Sequence, residues 1–245
     1  VPRVTNRQSR SVGNLGDILK HAALVELASL LADTRSTVCW VDTHTFLLHA
    51  PPADLERWRR ETDEMSARPA YARYARLERA CLEQTSRYRC SSGLVLDVLG
   101  HRRGAAVLGE ANGATREELR EQLRAEQLAN VRVTDDSAAA LEVALEAADT
   151  ADATLVHVDP FSLSPELWAS LSARLDALVA RSSDFVLVAY RYTRMAPSSW
   201  PAAPSGTTGP VGETRGGPHE LAVYASPRLA DPVRTVCAGL GWRLG

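Results

Sequence analysis

Apolar residues recur along the chain with two different periods. Ile18, Leu19, Ala22, Leu24, Val25, Leu27 and Leu30 follow helical spacing and predict a helix from Asp17 to about Ala32. Short continuous apolar runs at 37–41, 105–108, 131–133, 153–158 and 185–190 each have the length of a buried strand. Between them, 94–99, 114–127, a stretch ending at Ala148, and 165–181 read as helices. Strands alternating with helices predict an α/β fold with a mostly parallel sheet and right-handed crossovers.

Two stretches interrupt this alternation. Residues 53–66 and 70–85 are charged and helical, which sets off 51–90 as a helical insertion in a domain made of 1–50 and 91–245. Residues 196–218 are rich in Pro, Gly, Ser and Thr, and predict a mobile loop and candidate lid before strand-like sequence resumes at 220–224. Residues 1–12 read as a polar, basic arm, and a short helix follows Val233.

Composition narrows the chemistry. A net charge of -2 over 245 residues gives no global basic field, so nucleic acid would have to meet a local patch. Arg73, Arg76 and Arg79 recur beside Tyr71 and Tyr74. That stripe suits a solvated helix face with i,i+3 and i,i+4 ion pairs, or a docking face for RNA phosphate or an acidic protein. Cys39, Cys81, Cys90 and Cys237 show neither CxxC nor zinc spacing, so free thiols are expected and no metal constellation exists. With no leader and no long apolar run, a soluble, cytoplasmic protein without membrane contact is expected.

Lys20 is the only lysine among 28 basic residues, in a chain whose arginine and alanine bias suits a GC-rich genome. A compact ammonium is not interchangeable with a guanidinium, so its retention marks a site, together with Asn14, Asp17 and His21 around it. Four successive strands end in acids: Asp42, Glu110, Asp135 or Asp136, and Asp159. Each can simply N-cap the next helix. Four at one sheet edge can also line a crevice for a nucleoside-type ligand, the layout of a Rossmann-like methyltransferase. His49, His101 and His219 read as surface or satisfied histidines, His157 as a packed strand residue, and the five tryptophans as anchors.

Gly13-Asn14-Leu15-Gly16-Asp17-Ile18-Leu19-Lys20-His21 resembles the GNxxDxLKH signature of the RlmJ-type 23S ribosomal RNA adenine-N6 methyltransferases. The resemblance continues through Asp42-Thr43-His44, Tyr88 to Gly93, Glu110, Asp136, Asp159-Pro160 and the Gly216-to-Tyr224 region. It implies that Lys20, His21, Asp42 and Ser92 surround the amino-acid end of S-adenosylmethionine. Glu110 would hold the ribose, Asp136 the adenine, and Asp159 would face the target amine. Two departures stand against it. The family's small, Gly-rich turn is Thr45-Phe46-Leu47-Leu48 here, and its Asp-Pro-Pro-Tyr is Asp159-Pro160-Phe161-Ser162, with Phe161 left to stack in a shifted register.

A site that keeps Asp159, Lys20 and His44 but loses the cofactor turn can still align an amine with a leaving group in one substrate. Asp159 would hold the amine and take its proton, while Lys20 and His44 would steady an anionic leaving group. In this it resembles the aziridine-forming enzymes of azinomycin- and ficellomycin-type antibiotic pathways. That resemblance implies no cofactor, a sulfated amino-acid substrate on an acidic amino-group carrier protein, and a small companion subunit. The competing expectations are an S-adenosylmethionine-dependent methyltransferase acting on rRNA, and a non-catalytic structural subunit.

Overall fold

A computed structural model of the chain describes residues 14–52, 54–160, 164–193 and 202–245. Seven strands form one sheet: β1 (Val38–Asp42), β4 (Arg103–Gly109), β5 (Val131–Thr134), β6 (Ala153–Val158), β7 (Phe185–Tyr192), β8 (Thr208–Gly216) and β9 (His219–Ala225). Their order is β5-β4-β1-β6-β7-β9-β8. The first five in that order run parallel, whereas β9 is antiparallel to β7 and β8 to β9. The predicted α/β class and mostly parallel sheet are therefore present.

Helices α1 (Leu15–Thr34), α4 (Ser91–Leu99), α5 (Gly113–Ala125) and α8 (Ala230–Gly239) cover one face, and α6 (Ser137–Ala148) and α7 (Pro165–Arg181) the other. Every residue of β1 and β6 is buried, as parallel strands roofed on both faces must be. Alternation divides them: Val38 and Trp40 join the core under α1 and α4, Cys39 and Val41 the core under α6 and α7. Between β1 and α4 lie a two-stranded ribbon of β2 (His49–Ala50) and β3 (Tyr88–Arg89), and helices α2 (Leu55–Ser66) and α3 (Ala72–Thr85). Their Trp58, Tyr74 and Tyr88 pack into the same core as Leu24 and Leu27 of α1. No helix among the described residues is long and apolar enough to cross a membrane.

Two sequence expectations are corrected. The Pro- and Gly-rich stretch expected as a loop contains strand β8, while its segment 196–201 lies outside the described residues. Pro210 is tolerated because β8 is an edge strand, where one row of amides needs no partner. Gly212 is small for packing, since a Cβ there would run into Cys237 Sγ of α8. Helix α4 starts at Ser91 rather than Leu94, which puts two serine hydroxyls on its first turn. The expected arm at 1–12 also lies outside the described residues.

Candidate active site

The strands β5, β4, β1 and β6 are neighbours, so Asp136, Glu110, Asp42 and Asp159 follow four adjacent strand ends. They do different work. Asp136 is exposed and caps α6, accepting from the Ala139 amide at 2.7 Å. Glu110 is buried and accepts from the Asn112 amide at 2.6 Å. Burial pushes its carboxyl up to about 7, against the pull of that amide and of Arg116.

Asn14 and Asp17 form a reciprocal capping box at the start of α1: Asn14 Oδ1 accepts from the Gly16 amide at 2.7 Å and the Asp17 amide at 3.2 Å. Asp17 in turn accepts from the Asn14 amide at 3.2 Å. One turn on, Lys20 Nζ lies 2.8 Å from Asp17 Oδ1, donates to Asp159 Oδ2, and sits 5.3 Å from the centroid of the Tyr190 ring. Burial disfavours its charge, but Asp159 and Asp17 outweigh that and hold the ammonium well above its ordinary range. Asp159 is pushed up by burial, with Lys20 and His157 pulling it back.

Deeper, Asp42 has no exposed surface and collects four donors. Ser91 Oγ donates at 3.0 Å, Ser92 Oγ at 2.7 Å, the His44 amide at 3.3 Å and His157 Nδ1 at 3.3 Å. Burial opposes ionisation, yet His157 and the two hydroxyls hold Asp42 well below the usual carboxylate range. His44 is brought close through its Nδ1, 2.7 Å from Thr43 Oγ1, and burial lowers it to about 4, so it is neutral at neutral pH. His21 is placed differently: it is buried under Tyr88, whose hydroxyl lies 2.7 Å from His21 Nδ1. Phe161 lies outside the described residues.

Sequence reading missed His157, Ser91, Tyr190 and His219. His157 faces Asp42 across the β1–β6 register, a pairing that no local pattern in β6 discloses. His219, expected to be isolated, lies 2.7 Å from the Tyr190 hydroxyl through Nδ1, and the side chain Gly16 lacks would collide with its ring. The signal available was position: His219 lies opposite Tyr192 in the β7–β9 register, two residues along from Tyr190 on the same face, beside the first turn of α1.

The residues after β1 decide how well S-adenosylmethionine fits. Thr45, Leu47 and Leu48 of that turn are buried. The Thr43 amide bonds His157 O at 3.0 Å, Thr45 bonds Gly109 O at 2.8 Å, and Leu48 N bonds Gln122 Oε1 at 2.9 Å. A Cβ on Gly93 would strike the Leu48 carbonyl, and one on Gly109 would come 2.8 Å from Thr43 O. The turn is thus wedged between α4 and β4 by its own chain, and the Ser91 and Ser92 hydroxyls are committed to Asp42. The resemblance would have the Ser92 hydroxyl and this turn meet the amino-acid end of the cofactor; here both are bonded to their own chain.

No family model matches the chain, and no curated protein matches it. Among solved structures it is similar to protein LPL1258 of Legionella pneumophila, of family DUF519, with a TM-score of 0.62 at 13% identity over 94% of this chain and 92% of that one. An rRNA methylase from Streptococcus thermophilus gives 0.44 at 7% identity, over 82% and 94% of the two chains. A methyltransferase from Geobacter sulfurreducens gives 0.41 at 12% identity, over 84% and 77%. The likeness to LPL1258, at 13% identity, is one of fold: an α/β domain around a mostly parallel seven-stranded sheet. Fold alone does not assign chemistry, which the site has to carry.

Proposed function

We propose that the chain is an enzyme that closes an aziridine or azabicyclic ring, by displacement at saturated carbon within one substrate. The observation carrying this reading is the buried Lys20–Asp159 pair, beside a turn after β1 that is packed against its own chain. Two carboxylates, Asp17 and Asp159, flank the ammonium of Lys20, which favours a cationic substrate. The substrate ammonium takes the place of Lys20 on Asp159 and gives up a proton there. The freed nitrogen pair then forms the N–C bond as the C–O bond breaks, and sulfate departs with that electron pair. Lys20, released from Asp159, faces the departing anion. Holding both ends of one molecule in line is worth about 7–11 kcal/mol in well-oriented cases.

The substrate class is an O-sulfated amino acid, carried by an acidic amino-group carrier protein and met with a small companion subunit; no cofactor is needed. Exposed Arg76 on α3 supports an acidic partner, whereas Arg73 lies 4.0 Å from Glu26 and Arg79 is engaged with Asp63 at 2.8 Å. A second reading, S-adenosylmethionine-dependent adenine-N6 methylation of rRNA, is favoured by the methyltransferase fold and by buried Glu110 at the end of β4. The fold comparisons speak for this second reading more directly than for ring closure; the packed turn speaks against it.

Isothermal titration with S-adenosylmethionine and S-adenosylhomocysteine separates the two. No binding heat from folded protein, together with turnover of an O-sulfated amino acid, is the expected result. Micromolar binding would overturn the cofactor-free reading and direct the work to RNA. A non-catalytic structural role requires Asp159→Asn to leave the assembly's activity intact.

A further inference from the structure

One buried group has no part in the steps above. His157 is fully buried in β6, its ring stacked on Trp40 at 6.3 Å between centroids and 13° between planes. Its Nδ1 lies 3.3 Å from Asp42 Oδ1, and Asp42, being ionised, can only accept. Nδ1 therefore carries the hydrogen, and in the neutral ring Nε2 is left with the lone pair. That Nε2 is buried with no hydrogen-bond partner among the described residues, and points at Asp159 Oδ2, 4.0 Å away. The gap is about 1 Å longer than an ordinary hydrogen bond. Buried polar atoms without partners are rare, and one aimed at a reactive carboxylate asks for a reason. The charged and titratable groups around it are Asp42 on β1, Asp159 after β6, His44 in the turn, and Lys20 and His21 on α1.

We propose that His157 is a proton-relay residue behind Asp159, and that the site is therefore built for an aliphatic ammonium rather than an aromatic exocyclic amine. This rests on the amine-displacement reading. An alkyl amine has an ordinary pKa near 10, so roughly one molecule in a thousand is unprotonated at neutral pH, and a proton must leave before the nitrogen attacks. An adenine amine carries no such proton. The proton passes from the substrate nitrogen to Asp159 and on to His157 Nε2, and the imidazolium so formed lies between the carboxylates of Asp42 and Asp159. Asp159 is thereby restored as an anion, the nitrogen pair forms the N–C bond, and the C–O bond pair leaves with sulfate. Ser91 and Ser92 keep Asp42 in place throughout, so the relay is anchored from behind.

The test uses 2-aminoethyl hydrogen sulfate and its N-methoxy analogue, whose amine is already unprotonated at neutral pH. In His157→Gln, verified as folded by circular dichroism and melting, kcat/KM for the first compound should fall about 100-fold or more. The N-methoxy compound should lose less than about 5-fold. Equal losses on both compounds would make His157 merely structural and overturn the proposal, while leaving amine displacement standing. No turnover of either compound by the wild type would overturn amine displacement itself. Nitrogen-15 NMR of the free protein should show the Nδ1–H tautomer at His157; the Nε2–H tautomer would overturn the relay whatever the kinetics.

Discussion

Lys20→Met deletes the ammonium while keeping an unbranched stem and a good helix former. The structure sets the size of the effect. The Lys20 and Asp159 side chains are 11% and 14% exposed, so little solvent screens the pair. Removing one member of a buried ion pair destabilises by about 3–5 kcal/mol, because the survivor is left charged and unpaired. Here Asp159 has an escape, since burial already pushes it above the ordinary carboxylate range and Lys20 is the main force pulling it back. Without Lys20 it rises further, at about 1.4 kcal/mol per pH unit. A carboxyl whose folded pKa exceeds its unfolded value binds protons better when folded, so its linkage lowers stability as pH rises from about 4 to the folded pKa. The variant should therefore lose about 3 kcal/mol at pH 8 and roughly half of that or less at pH 5. Urea unfolding at both values, with m compared to the wild type, measures it. A loss independent of pH, or one under about 1 kcal/mol at pH 8, would refute the description of Lys20 and Asp159 as a buried pair.

Three further perturbations test the frame around the site. Arg89→Met removes a guanidinium that is 8% exposed and forks onto Asp97 and Glu126 at 2.6–2.9 Å; with Asp97 41% exposed and partly screened, chemical denaturation should show a loss of about 2–3 kcal/mol. Gly109→Ala drives a Cβ to 2.8 Å from Thr43 O and 3.0 Å from Asp136 O, both backbone atoms, and should lower thermal stability by about 1–3 kcal/mol. Glu110→Gln removes a carboxyl held up to about 7 by burial, whose raised folded pKa lowers wild-type stability between 4.5 and that value. The variant should gain on the wild type by up to about 3 kcal/mol at pH 8, a difference that closes by about pH 4 in parallel urea titrations.

Much of this arrangement is legible without coordinates because its causes are local. The apolar runs that make β1, β4, β5, β6 and β7 stop at polar residues, and parallel strands order those stops along one edge, so Asp42, Glu110 and Asp159 arrive near one another. Asp136 follows its strand in the same way, yet turns outward to cap α6, because the same residue type serves both purposes. What stays hidden depends on partners distant in sequence. Proline and glycine in 208–216 look like loop until an edge position excuses Pro210 and Cys237 demands Gly212. Ser91 and Ser92 stand before the helix predicted at 94–99 until Asp42 draws their hydroxyls into a helix start. His157 looks like packing because nothing within β6 discloses that Asp42 lies opposite it.

These buried charges form two tiers with different freedom. Asp42 is the inner tier: four donors satisfy it, each from a different residue, and exchanging any of them would strand a charge with no access to water. Asp159 is the outer tier, where its partners among the described residues are one ammonium and one distant imidazole nitrogen, and part of its surface is open. A ligand ammonium can take the place of Lys20 on Asp159 without loss of charge balance, because Lys20 retains Asp17 at 2.8 Å. The capping box fixes Asp17 in turn, so the lysine swings from one anchored carboxylate rather than being set adrift. That asymmetry gives the sole lysine its place: an arginine there would fork onto both carboxylates at once and resist the exchange.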